Sequence, residues 1–263
     1  MKQQLGALLL WLIGTAALAQ APGGFDLALV DLRGKQQVLG SLPGSVFSPR
    51  VSPDGQRVVF ELADGPTRLW IADLAKLDQR HSLPMVGNDR NWAALWSNDG
   101  RSVTFLVMGH EPAGLYRRNV DGTGEAEFVV DARAPEGIYD GDRSLFFITL
   151  TGQRDYGISS LDLASKAVTP LVDRPGSEQH SSRRSPDGRW IAYASNETGR
   201  QEIWLEPLPI TGKRYRVTQN GGSHPLWAPD GRALYYDRDG QLFRRDTFLG
   251  AESPKTGDEK PLP

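Results

Sequence analysis

Ser185-Pro186-Asp187-Gly188-Arg189-Trp190-Ile191-Ala192-Tyr193 joins a tight turn to an apolar run, and the rest of the chain repeats it. Proline presets φ at the first central position of such a turn. Aspartate follows, and glycine takes the position whose positive φ closes a hairpin. Near copies are Ser52-Pro53-Asp54-Gly55-Gln56-Arg57-Val58-Val59-Phe60, Ser97-Asn98-Asp99-Gly100-Arg101-Ser102-Val103-Thr104-Phe105 and Ala228-Pro229-Asp230-Gly231-Arg232-Ala233-Leu234-Tyr235-Tyr236. Tyr139-Asp140-Gly141-Asp142-Arg143-Ser144-Leu145-Phe146 is a worn fifth copy. From Gly55 to Gly231 four repeats occupy 176 residues, a mean period of 44. A period of about 40–45 residues, each unit holding about four strands, marks a β-propeller.

Outward from each corner the strands are short and apolar on both sides of the pleat, as in sheets covered on both faces. Phe25 to Leu32 and Gln36 to Leu39 read as two further strands ahead of the first unit. The fifth unit shows only three strands, and the tail from Gly250 to Pro263, rich in Pro, Lys and Glu, reads as disordered. An open blade edge invites aggregation, so Gln36 to Leu39 is expected to complete the fifth unit. The expected architecture is all-β: a propeller of five four-stranded blades over residues 20–249, with six blades, the last incomplete, as the alternative.

Bulk composition narrows the function classes. At 263 residues, 39% hydrophobic and 24% charged, the chain can bury a full core. A net charge of −2 gives neither a nucleic-acid footprint nor a polybasic membrane patch. The absence of cysteine removes disulfides, thiol catalysis and cysteine-bound zinc. Lys2, the apolar run from Leu5 to Ile13 and the small-residue site Ala17-Leu18-Ala19 compose a secretory leader over residues 1–19. The run is shorter than the roughly 20 residues of a spanning helix, so no stable membrane insertion is expected after cleavage. The expected location is periplasmic or secreted.

Trp190-Ile191-Ala192-Tyr193-Ala194-Ser195-Asn196-Glu197-Thr198-Gly199-Arg200-Gln201-Glu202-Ile203-Trp204-Leu205, with Gly221-Gly222-Ser223-His224-Pro225-Leu226-Trp227-Ala228-Pro229-Asp230-Gly231, resembles the repeat of TolB-like propeller proteins. The likeness extends over nearly all of residues 25–248, and the unit is also similar to the extracytoplasmic propellers of some bacterial membrane kinases. The resemblance implies a propeller of the bacterial envelope with a protein partner. Members with the full Tol–Pal role carry an α/β domain before the propeller and work with a peptidoglycan-associated lipoprotein. Here about five residues part the cleavage site from the first strand, so that role is only weakly implied.

Catalytic patterns are thin. Gly221-Gly222-Ser223-His224-Pro225 is the nearest approach to a Gly-x-Ser-x-Gly nucleophile elbow, but it ends in proline and falls on an inter-blade link. Asn119-Val120-Asp121-Gly122 and Asp237-Arg238-Asp239-Gly240 resemble calcium loops, yet neither completes the twelve-residue pattern, and Asp-Gly is a favoured hairpin pair. The aspartates of the repeated corners read as turn chemistry, capping local amides. The four histidines, His81, His110, His180 and His224, do not recur in phase, which disfavours a metal-centred channel. No catalytic, cofactor or metal residue is assigned.

The links leading into the first strand of each unit are more informative. In propellers that strand lies nearest the axis. Asn91, Trp92, Glu178, His180, Ser223 and His224 lie there, and Arg184 stands where the other units have Trp96 and Trp227. An arginine in an apolar pattern requires a partner or solvent. These seven residues are the expected partner-binding rim, for an envelope protein or peptide. The competing expectations are a small-ligand receptor or lactonase-like enzyme working in the channel, and the remnant of a longer fusion.

Overall fold

In a computed structural model of the chain the described residues are 9–13, 24–30, 36–63, 65–88, 90–151, 155–250 and 253–262. Among them there are 23 strands and no helix. Three strands come first: β1 (Leu9–Ile13), β2 (Gly24–Val30) and β3 (Gln36–Pro43), which form one antiparallel sheet in that order. The charged start and the Ala17-Leu18-Ala19 site of the expected leader lie outside the described residues.

Five four-stranded sheets follow, the five blades of a β-propeller. Blade I is β4 (Ser45–Val51), β5 (Arg57–Ala63), β6 (Arg68–Asp73) and β7 (Lys76–Ser82). Blade II is β8 (Arg90–Trp96), β9 (Ser102–Met108), β10 (Gly114–Asn119) and β11 (Glu127–Val130). Blade III is β12 (Ala134–Tyr139), β13 (Ser144–Thr151), β14 (Asp155–Asp162) and β15 (Val168–Val172). Blade IV is β16 (Gln179–Arg184), β17 (Trp190–Ser195), β18 (Glu202–Pro207) and β19 (Tyr215–Arg216). Blade V is β20 (Ser223–Trp227), β21 (Ala233–Arg238), β22 (Gln241–Leu249) and β23 (Pro254–Pro261). The expectation of five four-stranded blades is borne out. The chain parts into two compact units, Met1–Asp142 and Arg143–Pro263.

Two expectations about the ends are corrected. Residues Pro254–Pro261 are a strand and not a disordered tail: they pair with β22 and supply the fourth strand of blade V. Their polar composition hides the reason, which is charge pairing across the sheet edge. Glu259 accepts hydrogen bonds from Tyr236 Oη (2.6 Å) and Arg238 Nη2 (2.7 Å), and Lys260 meets Asp246 at 3.1 Å. Gln36–Pro43 therefore has no blade to complete. It pairs with β2 instead.

The repeated corner works as its residue types dictate. Ser185 Oγ accepts the Trp190 amide (3.0 Å) and donates to Asp187 Oδ1 (2.6 Å), while that oxygen accepts the Arg189 amide (3.1 Å). Ser52, Asp54 and Arg57 repeat the arrangement in blade I, and Ser97, Asp99 and Ser102 in blade II. Beyond the corner, β9 and β17 are buried along nearly their whole length on both faces. Val59, Leu69 and Ile71 of blade I pack with Trp96, Val103, Phe105 and Tyr116 of blade II. Trp190, Ala192, Ile203 and Leu205 of blade IV pack in the same way with Trp227, Leu234 and Tyr236 of blade V. The tryptophans also hydrogen-bond between blades: Trp96 Nε1 to Arg50 O (2.8 Å) and Trp227 Nε1 to Arg183 O (3.0 Å).

Candidate binding rim

The first strand of four blades carries the same irregularity. Phe47 faces Glu61 but Arg50 faces Val59, so three steps on β4 meet two on β5. Trp92 and Leu95, His180 and Arg183, and Ser223 and Leu226 bracket identical shifts in blades II, IV and V. One extra residue in a strand is a β-bulge, which turns side chains out of the regular alternation. At each bulge a residue other than glycine has positive φ: Ser48 (46°), Ala93 (54°), Ser181 (58°) and His224 (50°). Such a conformation costs on the order of 1–3 kcal/mol unless its surroundings impose it.

An acidic side chain stabilises two of these bulges. Glu61 is buried on β5, and its Oε1 accepts the Ala93 amide from blade II at 2.6 Å. Burial raises the pKa of Glu61, against the opposing pull of that amide, the Ser48 hydroxyl and Arg50. Asp237 has the corresponding place on β21, opposite Ser223, and its Oδ1 lies 2.8 Å from His224 Nδ1. With a carboxylate oxygen as its partner, Nδ1 is the donor of that bond. His224 is 68% exposed at its side chain, while Asp237 is 19% exposed.

His180 belongs to the same cluster. Its ring centroid is 6.2 Å from that of His224, with the planes at 50°, and its Nδ1 meets Ser181 Oγ at 2.9 Å. Burial, reinforced by the neighbouring His224 ring and opposed by Asp237, lowers the His180 pKa. The pair therefore presents neutral imidazole at neutral pH on the His180 side.

The other expected rim residues have different surroundings. Asn91 is buried, and its carboxamide closes a two-way bond with Val86, accepting from N and donating to O at 2.8 Å each. It braces the link into blade II. Trp92 is half-buried, and its Nε1 has no acceptor among the described residues. The Glu178 backbone is tied to Asn196, whose Oδ1 accepts the Glu178 amide at 2.8 Å. Ser223 is half-buried opposite Asp237. Arg184 ends β16, about 13 Å along the strand from His180 at the usual rise, and its Nε donates to Gly188 O at 3.1 Å. That places Arg184 on the Asp-Gly corner. So His180, Ser223 and His224 are brought together, with Asp237 added, while Asn91 and Arg184 serve the links and corners.

Phe47 and Asp237 escape a reading of single motifs, although the repeat contains the signal. Phe47, Trp92, His180 and Ser223 each stand eight residues before their corner glycine. Glu61 and Asp237 each stand six after it. Phe47 is 49% exposed, an apolar ring at the bulge of blade I. At the opposite end of blades IV and V, a groove of about 450 Å³ is lined by Asp187, Arg189, Asp230, Arg232, Phe248 and Leu249, with balanced charge. Among the described residues no group of three or more His, Asp or Glu is arranged to hold a metal ion.

Repeated bulges, Asp-Gly corners and inter-blade tryptophans define a β-propeller of the repeat class. The family model for the TolB beta propeller domain matches residues 21–205, and the chain belongs to that family. The fold is similar to that of a protein assigned as TolB from Agrobacterium tumefaciens, at TM-score 0.70 and 19% identity, covering 86% of this chain and 84% of the other. TolB from Acinetobacter baumannii aligns at TM-score 0.69 and 17% identity, covering 91% of this chain and 63% of that one. The tricorn protease aligns at TM-score 0.66 and 18% identity over 89% of this chain, which spans only 25% of the protease. At these identities the likeness is one of fold.

Proposed function

We propose that this chain is exported to the bacterial envelope, loses residues 1–19 as a leader, and binds a protein or peptide partner through the bulged ends of its first strands. The observation that carries the reading is the His180–His224–Asp237 cluster. There a strained backbone position is kept at a surface residue, and a carboxylate orients an exposed imidazole. Strain of that kind persists where a surface is used. Membership of the TolB propeller family and the leader pattern support an envelope location. The work is recognition, with the imidazole pair and the Asp237 carboxylate at the bulges of blades IV and V supplying a polar anchor.

Photo-crosslinking tests this. A photoreactive amino acid replaces His224 or, as the control, Phe248 at the corner end, and the cells are irradiated before envelope extraction. A discrete adduct at position 224, absent at 248 and lost on adding His180→Ala, supports the reading. Adducts only at 248, or none with the chain shown to be folded, would overturn it and direct the search to a small ligand.

A further inference from the structure

Every blade has four strands, but the sheet ahead of blade I has three, and one of those is the leader. In this structure β1 pairs antiparallel with β2 over five residues, from Leu9 opposite Val30 to Ile13 opposite Asp26. Removal of residues 1–19 takes away β1 and leaves β2 and β3 as a hairpin. That hairpin has contacts of its own with blade I, although β1 also packs against β4. Leu27 and Leu42 are each 1% exposed and pack with Val46, Val58, Phe60, Leu62 and Leu77 of blade I. Gly40 lies so close to blade I that a Cβ there would come within 3.3 Å of Leu77 Cδ1.

We infer that the β2 edge of the mature chain is a strand-addition site, and that its occupant is an extended apolar segment of a partner protein paired antiparallel to Asp26–Val30. A row of open amides and carbonyls on an anchored strand is a template for such pairing, with main-chain bonds giving affinity. The chemistry of the occupant follows from what the edge accepts here, the pentapeptide Leu-Leu-Trp-Leu-Ile, which has no charge and no proline. A two-stranded hairpin is marginal by itself, so a third strand also completes the sheet. The inference rests on leader removal as proposed above but does not require the bulge cluster.

The test uses a chain beginning at Gln20, so that processing is not a variable. The probe is a fluorescent peptide containing Leu8–Gly14 with lysines added at both ends, and two further forms are N-methylated at alternate residues, one in each phase. Only one phase removes the donors that face β2. The expected result is saturable one-to-one binding of the plain peptide and at least tenfold slower amide exchange within Asp26–Val30. One methylated phase should lose at least tenfold in affinity while the other retains it, and His180→Ala/His224→Ala should leave all three affinities unchanged. Equal binding of all three peptides would show apolar adsorption and overturn the inference. So would no binding, or a mature chain that elutes as a dimer with those amides already protected, which would make the occupant a second copy.

Discussion

His224 Nδ1 lies 2.8 Å from Asp237 Oδ1, and the two residues come from neighbouring strands of blade V on either side of a bulge. His224 holds a positive φ of 50° at the bulge, and its ring is oriented by the carboxylate. Asp237→Ala should release the ring. A single Nδ1–H tautomer in the wild type should give way to a mixture in nitrogen-correlated NMR spectra. A single hydrogen bond contributes about 0.5–1.5 kcal/mol net, so the melting temperature should change by less than about 6 °C. Partner binding at this surface should weaken by about three- to tenfold.

Glu61 gives a pH signature of the opposite kind to an ordinary surface carboxylate. Its folded pKa is raised by burial, so the folded state holds the proton more tightly than the unfolded chain. Its contribution to stability is full below the ordinary glutamate value of 4.5 and is lost as pH rises through the raised folded value. Glu61→Gln retains an acceptor for the Ala93 amide and should flatten stability against pH above 4.5. Glu61→Ala leaves that amide without its acceptor and should cost about 1–3 kcal/mol. Denaturant melts of the two variants from pH 4 to 8 check both.

Serine at the corner is a removable part. Ser185→Ala deletes the acceptor of the Trp190 amide and the donor to Asp187, at a cost of about 1–3 kcal/mol, or about 2–12 °C in melting temperature. Blade V has Ala228 in the same place, where only Asp230 caps the turn through the Arg232 amide. Ala228→Ser should therefore stabilise by up to about 1 kcal/mol. Equal effects of either sign in the two blades would argue against the hydroxyl as the cause.

Acid should attack the corners together. The hydroxyls of Ser52 and Ser97 lead in holding Asp54 and Asp99 below the ordinary value of 3.8. The Ser165 amide and Arg143 hold Asp162 at about 2. Depressed folded values mean stability that is complete above pH 3.8 and is lost as pH falls through the folded values towards about 2. Ser52→Ala and Ser97→Ala should each raise the acid midpoint seen by circular dichroism.

Glu206 of blade IV is a buried acidic residue whose partner reaches the surface. Glu206 is fully buried and accepts from Tyr193 Oη (2.6 Å) and Arg174 Nη2 (2.7 Å), with Arg174 30% exposed. Removing one partner of a buried pair costs about 3–5 kcal/mol; with Arg174 partly in solvent, Arg174→Met should cost about 2–3 kcal/mol. Adding Glu206→Gln to that variant should recover part of the loss, by thermal or denaturant melts.

The Asp-Gly corners made blade number legible, since each corner is a local device: serine, aspartate and glycine within five residues fold it without help from elsewhere. Strands apolar on both sides likewise announced sheets covered on both faces. The rim was half legible. His180 and His224 could be named from their place before a unit, but their pairing across blades depends on a bulge whose register no single stretch displays. Arg184 looked like a rim residue because it interrupts a tryptophan position, whereas its long side chain folds back onto Gly188.

The chain's ends separate local from tertiary information most sharply. A 44-residue period and corner chemistry are written in order along the polypeptide, and they determined a propeller of five blades. Which segment fills blade V is not local. Pro254–Pro261 contains little that favours a strand by itself, and it becomes one because β22 offers an open edge and Glu259 meets Tyr236 and Arg238 across it. The position of Gln36–Pro43 is decided likewise by burial of Leu42 against blade I. Main-chain pairing and side-chain burial join residues far apart in sequence, so only the tertiary structure could assign these strands to their sheets.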